Sequence, residues 1–173
     1  YRQSDLKLIN LLDKARNADL NEDDLSLFND RIVDEDWMMP DEILTLSTNN
    51  QKVNAINAVS LDNIDSKEYT YHADIDGKYS GAPVDAELKI KAGAQVMLVK
   101  NGENWVNGTL ATIDKLSKNE IYIKIKDNIY KLEKEKWEKF DYKISNNKII
   151  PSVSATFIQY PLKLAWAATI HKC

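Results

Sequence analysis

One succession of residues restricts the fold more than any other: a short apolar run, a polar turn and an amphipathic segment follow one another. Residues 43–47 predict a buried strand, residues 48–50 predict a turn that caps a helix, and apolar side chains recur at helical spacing over residues 53–61. The order strand, turn and helix is typical of α/β proteins, so we predict an α/β core around it.

Two helices are predicted before this unit. We expect Ser4 to cap the first, in which apolar residues recur at helical spacing between positions 8 and 15. We expect Asn21 to cap the second, because three acids follow it and complement the helix dipole. Pro40 then prevents helix propagation.

The pattern changes from about Tyr69, where short strand-like runs separated by turns begin. The later runs cover residues 94–100, 109–114, 120–126, 128–133 and 140–144. Such runs predict a small β barrel, although residues 131–139 could instead form a helical turn. We therefore predict an α/β domain over residues 1–86 and 157–173, interrupted by a small β module over residues 87–156.

Length and composition bound the class of protein. The 173 residues suffice for one ordinary core or two small ones. No apolar run approaches the roughly 20 residues that span a bilayer, and the N-terminus has no signal-peptide pattern. The single cysteine excludes an internal disulfide and fits the cytoplasm, and the absence of an initiator Met suggests an excised fragment.

Charge is unevenly distributed along the chain. The net charge of −4 argues mildly against nucleic-acid binding. However, residues 115–148 contain ten lysines against six acids, whereas residues 19–42 contain ten acids and one arginine. Whole-chain charge is therefore a weak test of DNA binding.

Self-contained catalysis is not expected. His72 and His171 are the only histidines, and His72 fits a surface position in a strand. One cysteine and two distant histidines do not make a zinc site, and no phosphate-binding G-x-x-x-x-G-K-[ST] loop is present. This chain alone should not hydrolyse ATP.

Four segments, taken in order, point to a family. The first is Tyr-Arg-Gln at 1–3, which precedes a helix, and the second is Leu-Ser-Thr-Asn-Asn-Gln-Lys-Val-Asn-Ala-Ile-Asn at 46–57. The third is Leu-Lys-Ile-Lys-Ala-Gly-Ala-Gln-Val-Met-Leu-Val-Lys-Asn at 88–101, with Trp-Val-Asn-Gly-Thr at 105–109 behind it. The fourth is Gln-Tyr-Pro-Leu-Lys-Leu-Ala-Trp-Ala-Ala-Thr-Ile-His-Lys at 159–172. Together they resemble the second motor domain of superfamily 1 DNA helicases of the Pif-type and RecD-like branch. The resemblance implies an incomplete RecA-like domain, of the P-loop NTPase type, with an SH3-like β-barrel insert.

The resemblance implies a role in nucleotide binding for the first segment. ATP and Mg²⁺ would be bound mainly by a first RecA-like domain that this chain lacks. Arg2 matches the family's catalytic contact to the γ-phosphate, and Gln3 lies in the same nucleotide-binding motif. An arginine suits this role because its planar fork engages phosphate oxygens bidentately. The alternative is a surface arginine near a frayed terminus.

Single-stranded DNA is the partner that the resemblance implies. Thr48 and Asn49 match positions that meet the DNA backbone, as do Thr169, His171 and Lys172. Amides at a helix N-terminus and short polar side chains suit phosphate contacts, although Asn49 could simply be a helix cap. The family's motif continues with a small residue and Gln-Gly, whereas this chain has Cys173 there, and the motif bearing a second arginine is absent.

In the family that this chain resembles, the SH3-like insert closes over the single-stranded DNA. Four aromatic residues of the insert could stack bases: Trp105, Tyr122, Tyr130 and Trp137. We expect instead that two or three of them fill the core of the small β barrel. The lysines at 115, 118, 124, 126 and 131 could be a solvated face.

The preferred interpretation is a DNA helicase that moves 5′ to 3′ on single-stranded DNA. We expect it to be a monomer, not to bind membranes, and to act in DNA repair or recombination. Two rivals remain: a non-enzymatic SH3-like binding module, and a helicase segment of a larger nuclease or conjugation protein.

Overall fold

The chain divides into two units, and the described residues of the first, Tyr1–Pro40, form two helices. In the computed structural model, residues 5–34, 43–145 and 148–170 are described. Helix α1 (Leu6–Arg16) begins after Asp5, whose carboxylate accepts hydrogen bonds from the N–H groups of Lys7 and Leu8 at 3.0 and 3.1 Å. The predicted cap at Ser4 was therefore wrong by one residue. A carboxylate caps as well as a hydroxyl and adds a negative charge that favours the helix dipole.

Asn21 caps helix α2 (Glu22–Asn29), as predicted. Its side chain accepts from the Asp24 N–H at 2.8 Å, and the Asp24 carboxylate accepts from the Asn21 N–H at 3.1 Å, which makes a capping box. Lys14 of α1 donates to the same carboxylate at 2.9 Å. The Lys14 hydrogen bond, followed by the Asn21 amide, lowers the pKa of Asp24.

The second unit, Asp41–Cys173, contains one helix and twelve strands among its described residues. The helix is α3 (Asn50–Asp62). The strands are β1 (Thr45–Ser47), β2 (Glu68–His72), β3 (Asp74–Gly77), β4 (Glu87–Lys91), β5 (Gln95–Leu98), β6 (Leu110–Leu116), β7 (Ile121–Ile125), β8 (Asn128–Leu132), β9 (Glu135–Ser145), β10 (Lys148–Gln159), β11 (Leu162–Leu164) and β12 (Ala167–Thr169).

The predicted strand, turn and helix are all present in β1 and α3. Helix α3 buries Val53, Asn57 and Leu61, which recur at helical spacing, and Asn49 is its cap. Strand β12 runs parallel to β1, so the chain returns after more than a hundred residues to complete this small α/β layer. The mixed α/β class is confirmed.

Most of the remaining chain forms antiparallel sheets. The largest has the order β11-β5-β6-β7-β8, and the others are β3-β10-β9 and β2-β4. The main core packs against the largest sheet, with Ile90, Val96, Leu98, Ile121 and Ile123 fully buried. Period-two burial along β6 and β7 explains why the alternation in the sequence predicted strands there.

The strands depart from the prediction in two respects. Residues 131–139 extend as the end of β8 and the start of β9, so the alternative of a helical turn was wrong. No pairing among the described residues joins β11 to β8, so this is an open sheet and not a closed barrel. Its edge strand β11 belongs to the segment that was predicted to return to the α/β domain, and it pairs with β5 over Val96–Leu98.

One further prediction concerns the surface of the second unit. His72 is exposed in β2, as predicted. None of the helices in the described part of the chain is both long and apolar enough to cross a membrane.

Candidate nucleic-acid interface

The structure brings two of the predicted DNA-contacting segments to one place. Because β1 and β12 are parallel and Ser47 pairs with Thr169, both strands end at the same edge. Thr48 and Asn49 follow β1 directly, and Thr169 is the last residue of β12. We call these three residues the β1–β12 edge. The other predicted site residues, Arg2, Gln3, His171 and Lys172, lie outside the described residues.

Asn49 is fixed by its role as the cap of α3. Its Oδ1 accepts from the N–H groups of Gln51 and Lys52 at 2.8 and 3.3 Å, while its own N–H donates to Ser47 Oγ at 3.2 Å. Within the described residues, its Nδ2 group and the N–H of Asn50 have no acceptor. The cap thus occupies two helix amides but leaves two donors at an exposed position, so capping and anion contact are compatible.

Asn57 holds β12 against α3. Its Nδ2 donates to the Ala167 carbonyl at 3.0 Å, and its Oδ1 accepts from the Ala167 N–H at 2.8 Å. The Asn57 side chain therefore satisfies both backbone polar groups of a residue that is itself buried. The helical pattern over residues 53–61 did not reveal this role of Asn57. A polar residue in an apolar helical stripe was the available signal.

A second buried amide supports the start of β1. Gln95 Nε2 donates to the Ala165 carbonyl at 2.8 Å and to the Ile43 carbonyl at 3.2 Å. It thereby joins β5 to the residues that precede β1 and β12. Thr169 is buried, with 6% of its surface exposed, so the fold fixes its position firmly.

A cleft of about 690 Å³ opens beside the β1–β12 edge. Its walls come from α3, from the segment 82–89, from β5 and from the β11–β12 region, and both Asn50 and Thr169 line it. Lys89 and Glu87 form an ion pair at 3.1 Å on one wall. Through that hydrogen bond, Lys89 lowers the pKa of Glu87 and Glu87 raises the pKa of Lys89.

The aromatic side chains of the predicted insert serve mainly in packing. Trp105 meets Tyr130 edge to face at 5.7 Å, and both pack against the main core. Trp137 packs on Phe157 at 6.0 Å. Tyr122 is half-buried on β7. The expectation that several of these residues fill a core is confirmed, and stacking on bases stays a prediction.

The lysines at positions 115, 118, 124, 126 and 131, for which a solvated face was one interpretation, lie on the surface. Lys131 bonds to Glu120 at 2.9 Å, and that contact raises its pKa. Ion pairing of this kind is typical of a solvated face. No group of three or more potential metal ligands occurs among residues 5–34, 43–145 and 148–170.

Several solved structures to which this chain is similar belong to one class of protein, the DNA helicases. Unliganded Pif1 from Bacteroides sp is 30% identical, with a TM-score of 0.89 over 99% of this chain and 41% of that one. Bacteroides Pif1 in complex with ADP-AlF4 gives a TM-score of 0.85 at 29% identity, and Bacteroides Pif1 bound to ssDNA gives 0.74 at 30% identity, with the same coverage of both chains.

The curated relatives point to the same helicases by name. The ATP-dependent DNA helicase Pif1 of Campylobacter jejuni is 28% identical over 99% of this chain and 43% of its own length. No protein-family model matches the chain. The resemblance to Pif-type superfamily 1 helicases is thus confirmed, and the chain spans about two fifths of the length of the relatives it matches.

Proposed function

We propose that the protein containing this chain is an ATP-dependent DNA helicase, and that the β1–β12 edge contacts the backbone of single-stranded DNA. The convergence of Thr48, Asn49 and Thr169 at one edge is the observation that supports this most directly. Thr169 lies more than a hundred residues after Thr48 and Asn49, and two separate family motifs predicted the two segments. The exposed donors of Thr48 and Asn49 can engage phosphate oxygens, which carry no sequence information, and the buried Thr169 holds the end of β12 beside them.

The DNA-contacting surface extends further in this proposal. Ile170 follows β12, and His171 and Lys172 come next in the sequence, so they continue the chain beyond the β1–β12 edge. An imidazole and an ammonium group add charge-assisted contacts to the same phosphates. A related Pif1 was solved bound to ssDNA, which supports single-stranded DNA as the ligand.

Nucleotide chemistry is assigned to a different part of the protein. ATP with Mg²⁺ is bound mainly by a first RecA-like domain, and Arg2, aided by Gln3, contacts the γ-phosphate from the second domain. The guanidinium stabilises charge that develops on the transferred phosphoryl group. The related Pif1 in complex with ADP-AlF4 supports nucleotide use.

Several finer assignments belong to the same proposal. Translocation runs 5′ to 3′ along the DNA. Residues 87–156 act as an SH3-like insert that closes over the single-stranded DNA. The protein works as a cytoplasmic monomer in DNA repair or recombination. Similarity to helicases along 99% of the chain favours this motor over an isolated binding module.

An unwinding assay tests the proposal. The full-length protein is mixed with duplexes that have a single-stranded tail at either the 5′ or the 3′ end. We expect ATP-dependent unwinding of the duplex with the 5′ tail, together with ATP hydrolysis that single-stranded DNA stimulates. Unwinding from the 3′ tail alone would contradict the direction, and the absence of both activities would contradict the motor itself.

Arg2→Ala separates the two chemical roles within this protein. We expect DNA-stimulated ATP hydrolysis to fall at least about a hundredfold in this variant, because one arginine contact to a transferring phosphoryl group contributes roughly 10³–10⁵ in related chemistry. Binding of single-stranded DNA should change little, since Arg2 faces nucleotide in this scheme. Arg16→Ala, at an exposed position on α1, removes the same kind of side chain and provides the matched control. Unchanged turnover in Arg2→Ala contradicts the assigned role.

A further inference from the structure

The cleft beside the β1–β12 edge has the shape and chemistry of a binding site in its own right. Its volume of about 690 Å³ falls within the roughly 300–1,000 Å³ of sites that take small ligands. Val53, Leu61 and Leu88 form buried apolar lining, and Met97 of β5 and Val99, just after that strand, add half-buried side chains. The lining thus offers apolar surface that a flat ring could cover.

The charges of the lining argue against a phosphate inside the cleft. Asp85 and Glu87 stand against Lys89 and Lys163, so the lining has two acids and two lysines. Glu87 and Lys89 neutralise each other at 3.1 Å. A site without net charge suits a neutral group, whereas phosphate binding needs a surplus of positive charge or oriented amides.

Side-chain amides provide polar groups at the cleft. Asn50 and Asn54 are one helical turn apart on α3, so they lie on the same face. An asparagine amide combines donors and an acceptor, which matches the edge of a nucleobase. Asn57 also lines the cleft, but its amide is engaged by Ala167.

The cleft adjoins the proposed backbone contact. Asn50 follows Asn49 directly, and Thr169 belongs to the β1–β12 edge, yet both line the cleft. A strand whose phosphates lie along this edge therefore has a neutral, apolar recess within reach of its bases.

We propose that the cleft receives a nucleobase of the bound single strand, with the ring on the apolar lining and Asn54 at its edge. This inference rests on the proposed function, because it needs the DNA backbone at the β1–β12 edge. In this arrangement, the cleft contacts one base of the DNA, in addition to the phosphate contacts at the β1–β12 edge. Such a contact lets the protein hold one nucleotide in a fixed register.

The test uses the full-length protein and a set of thymidine oligonucleotides, each with one abasic site at a different position. If a base enters the cleft, one abasic position lowers the affinity more than its neighbours do. The expected loss is roughly 5- to 150-fold, since stacking of one base contributes about 1–3 kcal/mol.

A pair of variants on α3 links that position to the cleft. Ala58 is exposed and lines the cleft, whereas Val59 is 60% exposed and does not. Ala58→Glu places a charged side chain in the recess, and Val59→Glu adds the same charge on the same helix. We expect Ala58→Glu to remove the position-specific abasic penalty and Val59→Glu to retain it.

The outcomes distinguish this inference from the proposed function. If all abasic positions behave alike, or if both variants retain the penalty, the base contact is overturned. Salt-dependent binding of the intact oligonucleotide reports the phosphate contacts separately. If that binding persists in the same samples, the proposed function stands although the cleft has no base. If no salt-dependent binding occurs, the proposed function fails with it.

Discussion

Removing the side chain of Asn57 should loosen the β1–β12 edge. In Asn57→Ala, the carbonyl and the N–H of Ala167 lose their partners at 3.0 and 2.8 Å. Ala167 is 1% exposed, so water does not readily replace them. Each unsatisfied buried group costs about 1–3 kcal/mol, and the better helix propensity of alanine returns roughly half a kcal/mol. We expect a net loss of roughly 2–5 kcal/mol.

Hydrogen exchange followed by mass spectrometry measures this loss where it occurs. In the full-length protein, the peptide that contains residues 162–170 should exchange at least about thirtyfold faster in Asn57→Ala, because about 1.4 kcal/mol corresponds to a factor of ten. Asn54→Ala on the exposed side of α3 is the matched control and should change exchange in this peptide less than about threefold. If Asn57→Ala exchanges like the control, the side-chain amide does not hold β12, and our account of the edge is wrong.

Two further predictions concern backbone strain and pH. Gly77 has a φ of +73°, and a Cβ there would lie 2.5 Å from the Ser154 carbonyl oxygen, whereas Gly81 has a φ of +71° and open space around it. The positive φ alone costs roughly 1–2 kcal/mol in either variant, and the close contact adds to this cost only in Gly77→Ala. Gly77→Ala should therefore accelerate hydrogen exchange in β3 more than Gly81→Ala accelerates it in its own segment. Equal effects of the two substitutions would exclude the close contact. Burial, followed by the nearby phenols of Tyr160 and Tyr69, raises the pKa of Tyr71 from 10.0 to about 12. The Tyr71 hydroxyl donates a hydrogen bond to the Ser117 carbonyl. Because the folded pKa is the higher one, the stabilisation by this hydroxyl should be complete below pH 10 and lost as the pH rises towards 12. In denaturant unfolding, the free energies of unfolding of wild type and Tyr71→Phe should differ by about 0.5–1.5 kcal/mol below pH 10. A difference that does not shrink at higher pH contradicts the assignment.

Local signals predicted the parts of the fold that local physics determines. Asn21 and Asn49 are helix caps because a short polar side chain can satisfy the first amides of the helix that follows it. The same reasoning erred at α1, where Ser4 and Asp5 are adjacent candidates and the sequence alone does not rank them. Alternation of apolar residues predicted β6 and β7 for a similar local reason.

Long-range pairing was beyond the reach of the sequence patterns. Nothing in residues 162–164 indicates that they pair with β5, so the open sheet and its edge were not foreseen. The parallel pairing of β1 with β12 joins Thr45 to Ala167, and only this contact places Thr169 beside Thr48 and Asn49. Family motifs predicted the site residues, whereas the tertiary structure explains how they share one edge.

Substitution of Asn49 tests the central claim most directly. Asn49→Asp and Asn49→Ser both retain a side-chain oxygen that can cap α3, so neither should unfold the helix. The carboxylate replaces the Nδ2 donor with a negative charge at the point where we place a phosphate. Equilibrium binding of single-stranded DNA by the full-length protein should therefore weaken at least about tenfold in Asn49→Asp at low salt and only a few-fold in Asn49→Ser.

The salt dependence gives this measurement its second criterion. The difference between the two variants should shrink as the salt concentration rises, because the repulsion between exposed charges is screened. Hydrogen exchange in α3 checks that the cap is intact in both proteins. If Asn49→Asp binds DNA as tightly as Asn49→Ser at low salt, the β1–β12 edge does not contact the DNA backbone.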